Sequence, residues 1–203
     1  LILVAFPFYL SKKRNQRKVG GILFSLSLLF LSLYFLKTFL PSIESHQKLQ
    51  EFFQQLSHYG FLTNLLFILF GILLTVLVHF SSASITIAIL LASKGLPIEL
   101  AAMIVLGANI GTTFTAHLVA AIGDKYTKVV AAFHTFFNIV IALIFMLIAN
   151  FVLKFIGSTI SSNIAVQLIT FDTISNLVGV ILFTPFINKI AFYCQKKYFS
   201  VKS

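Results

Sequence analysis

The 203-residue chain has no tryptophan, a single cysteine and few charges, with Asp, Glu, Lys and Arg making up only 10% of it. Soluble domains carry about 25% charged residues, so a soluble globular domain is excluded. The lone Cys194 allows neither an internal disulfide nor a cysteine metal site. The spacings of the five histidines do not make a metal site either. Segments of about ten residues that alternate apolar and polar are missing, which excludes a transmembrane β-barrel. There is no nucleophile elbow, and no clear orienting acid for a Ser–His pair, so nothing marks an enzyme. What the chain does have is grease: 59% hydrophobic residues, 24 of them Phe, and a mean hydropathy of +1.01. Apolar runs of about 20 residues recur, the length that crosses about 30 Å of hydrocarbon. Lipid offers the backbone no hydrogen bonds, so such spans are helical. The fold class is an all-α integral membrane protein.

The net charge of +10 fits topology-setting basic loops better than nucleic-acid binding. Residues 1–10, LILVAFPFYL, are too short to span, and the basic residues follow the apolar run instead of preceding it, unlike a signal peptide. They read as the end of a preceding helix in a longer protein. A basic linker follows at 11–18, then a transmembrane region over 19–188 and a basic cytoplasmic tail over 189–203. Within that region 19–40 is a span stopped by Pro41, and 42–59 suits a short amphipathic helix at the interface. An apolar segment over 60–79 ends in HFSSAS (79–84), 85–92 is short and apolar, and SKGLP (93–97) is a turn. A crossing helix over 98–122 contains GANIGTT (107–113). Loops are expected at 123–128 and 152–163, and spans at 129–151 and 164–186. Placing 11–18, 123–128 and the tail in the cytoplasm gathers 11 of the 15 Lys and Arg there. Residues 60–122 must then make one net crossing. The economical solution is a re-entrant hairpin tipped by HFSSAS, followed by a helix broken at GANIGTT.

Both polar clusters precede a resumed helix. Ser81, Ser82 and Ser84 fall at the start of 85–92, and Asn109, Thr112 and Thr113 at the start of 114–122. Helix starts present free N–H groups and the positive end of the dipole, so they attract anions. Hydroxyl and amide groups add donors for an oxyanion, and their oxygens suit a hard cation. Two broken helices meeting near the midplane is the layout of a coupled transporter. Gly107 and Gly111 supply unusual dihedrals and close approach. The plainer readings are N-capping and small-residue packing. His134 and Asn138 share a helix face, as an interhelical hydrogen-bonding pair would. His117 has no assigned role, and His46 and His58 lie in the exterior segment. Asp172 is a carboxylate at membrane depth, which is costly and usually functional; its plainer reading is a salt bridge or a water-exposed position near the helix start.

These motifs resemble the sodium/phosphate cotransporter family. GANIGTT matches at 107–113, TVLVHFSSASIT (75–86) matches the family's hairpin motif, and AAFHTFFN (131–138) matches its Ala-x-x-His-x-x-Phe-Asn. DTISNLVGVILFTPF (172–186) echoes a later His-Thr-x-Phe-Asn and Pro-Phe, with Asn176 at its Asn. The resemblance implies the C-terminal half of an inverted-repeat carrier whose other hairpin lies in a missing N-terminal repeat. It implies sodium-coupled phosphate symport by alternating access in a multi-pass membrane protein; the low charge and the absence of a targeting segment fit a bacterial inner membrane. Phosphate, Na⁺ as coupling ion and the lipid bilayer are then the partners, with no other cofactor and no nucleic acid. Binding falls to Ser81, Ser82, Ser84, Asn109, Thr112, Thr113 and His79, supported by Gly107, Gly111, His134, Asn138, Asp172 and Asn176. Three positions depart from the family: His79 stands for its Gln, Phe80 for its first Ser and Asp172 for its frequent His. The alternative is a non-transporting or substrate-altered homologue that keeps the scaffold.

Overall fold

The computed structural model describes residues 2–39, 48, 51, 52, 60–186, 189 and 192. Among these every regular element is helical, as a backbone that must satisfy itself in lipid requires. The chain forms two compact units, Leu1–Ser45 and His46–Ser203.

In the first unit α1 (Ile2–Tyr9) folds back on α2 (Arg14–Phe39). Tyr9 stacks on Phe24 with 5.3 Å between ring centroids, and Phe6 approaches the same ring at 6.1 Å. Gly20 lies against the backbone of Phe8 and Tyr9, where a Cβ would collide. The pairing runs 8–9 with 20 and 6 with 24, so the two helices are antiparallel. The linker expected at 11–18 is shorter than its charge pattern implied. Arg, Gln and Lys are good helix formers, and α2 begins among them at Arg14. Ser11 marks the turn, donating to Gln16 Oε1 at 2.6 Å and accepting from the Lys13 N–H at 3.3 Å.

The second unit holds α3 (Phe61–Val78), α4 (Ser81–Ser93), α5 (Ile98–Ile122), α6 (Lys125–Thr159) and α7 (Ile164–Phe183), closed by a 3₁₀ turn at Thr184–Phe186. The central post is α5, against which α3, α4, α6 and α7 all pack. Its residues 100–108 are buried without interruption. A helix usually hides one stripe; one buried all round has neighbours on every side. This is also the least apolar of the unit's long helices. Lipid does not reach its first half, so an Asn and two glycines are tolerated at its centre.

Glycine sets how α3 meets α5. A Cβ at Gly71 would strike the Ile104 carbonyl, one at Gly107 the Ile68 carbonyl, and one at Gly111 would meet Ile72 and Thr75. These contacts advance together, from 68 to 75 on α3 and from 104 to 111 on α5. The two helices are therefore parallel, and α4 must run back. With 13 residues, α4 is about 20 Å long, short of the ~30 Å hydrocarbon core. The hairpin expected over 60–93 is thus present, with its tip at His79 and Phe80. The side of α3 turned away from α5 exposes Leu62, Leu65, Leu69 and Leu73, a surface suited to hydrocarbon.

The break expected at GANIGTT is absent: α5 runs unbroken from Ile98 to Ile122. Its two glycines, four apart, serve close backbone packing and not unwinding. Thr112 Oγ1 donates to the Ala108 carbonyl at 2.9 Å and Thr113 Oγ1 to the Ile110 carbonyl at 2.7 Å, so both hydroxyls are spent inside the helix. Asn109, Thr112 and Thr113 consequently do not sit at a helix start.

Two loops are also shorter than expected. The loop at 123–128 reduces to Gly123 and Asp124, because Asp124 caps α6 through bonds from the Thr127 hydroxyl and N–H at 2.6 and 2.8 Å. Those bonds hold the exposed Asp124 carboxyl below its ordinary range. Its contribution to the cap is therefore full at neutral pH and is lost as pH falls through that lowered value. The loop at 152–163 reduces to 160–163, since the apolar pattern of α6 continues to Thr159 and Asn163 starts α7 by accepting from the Ala165 and Val166 N–H groups. At 35 residues, α6 is about 52 Å long and exceeds the bilayer core. The amphipathic segment 42–59 and the tail from 189 lie outside the described residues, apart from Lys48, Glu51, Phe52, Lys189 and Phe192, which are helical.

Alanine gains about 1 kcal/mol over glycine within a helix, but prising apart packed groups costs about 1–3 kcal/mol. Gly107→Ala should therefore lower the Tm of the detergent-solubilised protein. Gly157→Ala should lower it far less, because its Cβ would meet only a side chain, the Gln167 amide at 3.3 Å, which donates to the Ser161 carbonyl. Equal Tm values for Gly107→Ala and wild type would contradict the backbone contact.

Candidate functional site

The chain reverses in two residues without glycine or proline. His79 takes the left-handed conformation, with φ at 59°, and its N–H caps α3 by donating to the Thr75 carbonyl at 2.7 Å. Such a conformation costs a non-glycine residue roughly 1–2 kcal/mol. Phe80 is extended, and α4 begins at Ser81. Both tip side chains are exposed, the His79 ring lying edge-on to Phe114 of α5 at 6.2 Å. Its Nδ1 is 3.3 Å from the Leu77 carbonyl oxygen.

A buried hydrogen bond ties the two arms of the hairpin together. Thr75 Oγ1 donates to Ser84 Oγ at 2.8 Å, and the two residues are 2% and 0% exposed. Ser84 thus has a structural partner. Ser81 and Ser82 differ: among the described residues no hydrogen bond engages either hydroxyl, Ser82 contributing only its carbonyl, to Thr86. The first N–H groups of α4 have no intrahelical acceptor. Phe80 cannot cap them with its side chain, and the first turn holds no acid.

A second polar group joins α5 to α7. Asn109 Nδ2 donates to Asp172 Oδ1 at 2.7 Å, and Asn176 Nδ2 donates to the same oxygen at 3.1 Å and to the Asp172 carbonyl at 2.9 Å. Ser175 Oγ, fully buried, donates to that carbonyl at 2.8 Å. Asp172 lies well inside α7 and is half-buried. Among the described residues it is held by amides and by no salt bridge, and it lies eight residues past the helix start of its plainer reading.

The two groups stand at nearly the same level of α5, on different sides of it. Gly111 abuts Thr75, Thr75 holds Ser84, and Asn109 precedes Gly111 by two residues, ~3 Å along the axis. No hydrogen bond among the described residues links the hairpin serines to Asn109, Thr112 or Thr113. No hydrogen bond among the described residues joins the side chain of His134 or Asn138 to either group. Asn138 is buried, but its amide donates to the His134 carbonyl of its own helix at 2.9 Å, and among the described residues the expected interhelical bond is not made there. It is made instead by His117, whose Nε2 lies 2.7 Å from Thr135 Oγ1 and links α5 to α6. Thr75 and this His117–Thr135 pair were missed from sequence. Thr75 offered one clue, a hydroxyl within an apolar run just before the tip; the other pair, 18 residues apart, offered none. Among the described residues no three of His, Cys, Asp and Glu gather, so the groups able to meet a cation are one carboxylate, amide oxygens and hydroxyls.

The Na⁺/Pi-cotransporter family model matches residues 45–157, more than half of the chain. The chain belongs to the Na⁺/Pi-cotransporter family. It is also similar to a Bacillus subtilis (strain 168) protein, "Uncharacterized protein YqeW", 30% identical over 122 residues that cover 60% of this chain and 39% of that protein. The match thus spans about two fifths of the length of that curated relative. No solved structure matches. In this member of the Na⁺/Pi-cotransporter family the matched region takes in the hairpin, all of α5, His134 and Asn138. It stops short of Asp172 and Asn176, so the carboxylate of α7 has to be read from its own surroundings.

Thr75→Val keeps the shape of the side chain but leaves a fully buried Ser84 hydroxyl without its partner, a loss of about 1–3 kcal/mol. The Tm should fall, and Thr75→Val combined with Ser84→Ala should recover part of the loss. A double variant less stable than the sum of the single changes would contradict the bond.

Proposed function

We propose that the chain forms one repeat of a sodium-coupled carrier for inorganic phosphate, working by alternating access in a bacterial inner membrane. Family membership supports coupled transport as the class of activity. The observation that carries the reading is the start of α4. It has no side-chain cap and no acid in its first turn, and Ser81 and Ser82 stand there as donors. Free N–H groups, two hydroxyls and the positive end of a helix dipole are a set that fits an oxyanion. Helical starts inside membrane carriers meet anionic substrate groups in this manner. Phosphate carries at least one negative charge at neutral pH, and Na⁺ entering with it offsets that charge and supplies the driving force.

His79 and Phe80 favour a second reading, a scaffold that has lost or changed its substrate. The resembled family has Gln and Ser at these two positions. Imidazole cannot present the donor and acceptor of an amide in one geometry, and Phe80 has no hydroxyl.

Uptake of radiolabelled phosphate separates the two. Cells without their own carriers, expressing the complete protein, should take up phosphate in Na⁺ and not in choline. Asn109→Ala should abolish that uptake while membrane insertion remains intact. Absence of uptake in both media, with the protein present in the membrane, would move the assignment to the altered scaffold.

A further inference from the structure

The five acidic residues are Glu44, Glu51, Glu99, Asp124 and Asp172. Glu44 and Glu51 precede α3 in the chain, Glu99 lies in the first turn of α5, and Asp124 is the N-cap of α6. Asp172 alone stands in mid-span. A carboxylate at that depth is expensive and calls for a partner. The helices packed against α7 are α4, α5 and α6. No charged side chain belongs to α4; α5 carries Glu99 and His117; α6 carries Lys125, Tyr126, Lys128, His134 and Lys154. At the carboxylate itself the hydrogen-bond donors are the neutral amides of Asn109 and Asn176.

Both amides converge on one oxygen, Oδ1. Asp172 Oδ2 accepts no hydrogen bond from the described residues, and neither do the side-chain oxygens of Asn109 and Asn176. Two neutral donors orient the carboxylate and leave its charge in place. The free, anionic Oδ2 is a hard oxygen of the kind a small cation takes as a ligand, and it is held in place by the two amides. The group also lies within about one helical turn, along α5, of the Gly111–Thr75–Ser84 contact at the hairpin. A cation here would stand near the depth of the anion-binding start of α4.

We propose that Asp172, oriented by Asn109 and Asn176, is a binding site for a monovalent cation, Na⁺ or a proton. The site deepens the carrier reading, on which its coupling role rests: bound cation neutralises the Asp172 carboxylate and makes the region around α5 ready for phosphate. Binding itself does not depend on which anion is carried.

The test is thermal unfolding of the complete purified protein in detergent, titrated with NaCl at constant ionic strength against choline chloride. A ligand that binds the folded state raises the Tm. Na⁺ should raise it saturably in wild type and not in Asp172→Asn. In Asn176→Ala, which keeps the carboxylate, the half-maximal Na⁺ concentration should rise about tenfold, as loss of an orienting partner does at other ion sites. A second arm lowers the pH in choline alone; stabilisation by acid in wild type, absent from Asp172→Asn, would name the proton as the cation. Responses to Na⁺ and to acid that are the same in wild type and Asp172→Asn, or absent from wild type, would overturn the proposal. Should Asp172→Asn fail to fold, an unshifted Na⁺ midpoint in Asn176→Ala would overturn it equally. Intact Na⁺ stabilisation without phosphate uptake would sink the phosphate reading and leave the cation site standing.

Discussion

The backbones of α3 and α5 touch at Gly71, Gly107 and Gly111, and the arrangement of the second unit follows from that contact. Ridge and groove vanish where a side chain would be, so the helices approach until a carbonyl of one fills the space of a missing Cβ on the other. Apolar side chains gain little by leaving lipid for one another, and close van der Waals packing is what holds membrane helices together. The contact fixes α3 parallel to α5. It forces α4 to return, and it sets Thr75, and through it Ser84, at the level of GANIGTT. The hairpin tip is then a consequence: two residues, one of them left-handed, must reverse the chain between fixed helices.

Much of this architecture was legible in the residues. Spans, hairpin and tip follow from apolar run lengths and from the requirement for one net crossing over 60–122. The misreading at GANIGTT has a definite physical origin. Glycine permits both an unwound turn and a close helix contact, and periodicity alone does not tell them apart. The decision rests on Gly71, 36 residues earlier, whose own missing side chain faces the same surface. Loop lengths erred for a different reason. Charge and polarity at 123–128 read as loop, whereas Asp124 and Thr127 form a cap that starts a helix two residues in. The Asn109–Asp172 bond joins residues 63 apart, and nothing local announces it.

On the proposed carrier reading, the two polar groups of the second unit would take different ions. At the start of α4 the protein offers N–H groups, hydroxyls and no acid; at α7 it offers a carboxylate and amide oxygens. An anion suits the first and a cation the second, and each is built by helices that pack on α5. The family match covers the first group and only Asn109 of the second.

The central claim is that α4 starts inside the membrane, with Ser82 reachable by an anion. The most direct measurement replaces every native cysteine of the complete protein with Ser, Cys194 among them, introduces Ser82→Cys, and labels intact cells and inverted vesicles with a membrane-impermeant thiol reagent. The account predicts labelling that Na⁺ and phosphate together slow, and that choline with phosphate leaves alone. A thiol that is inert from both sides of the membrane, or labelled at one rate whatever ions are present, would contradict it.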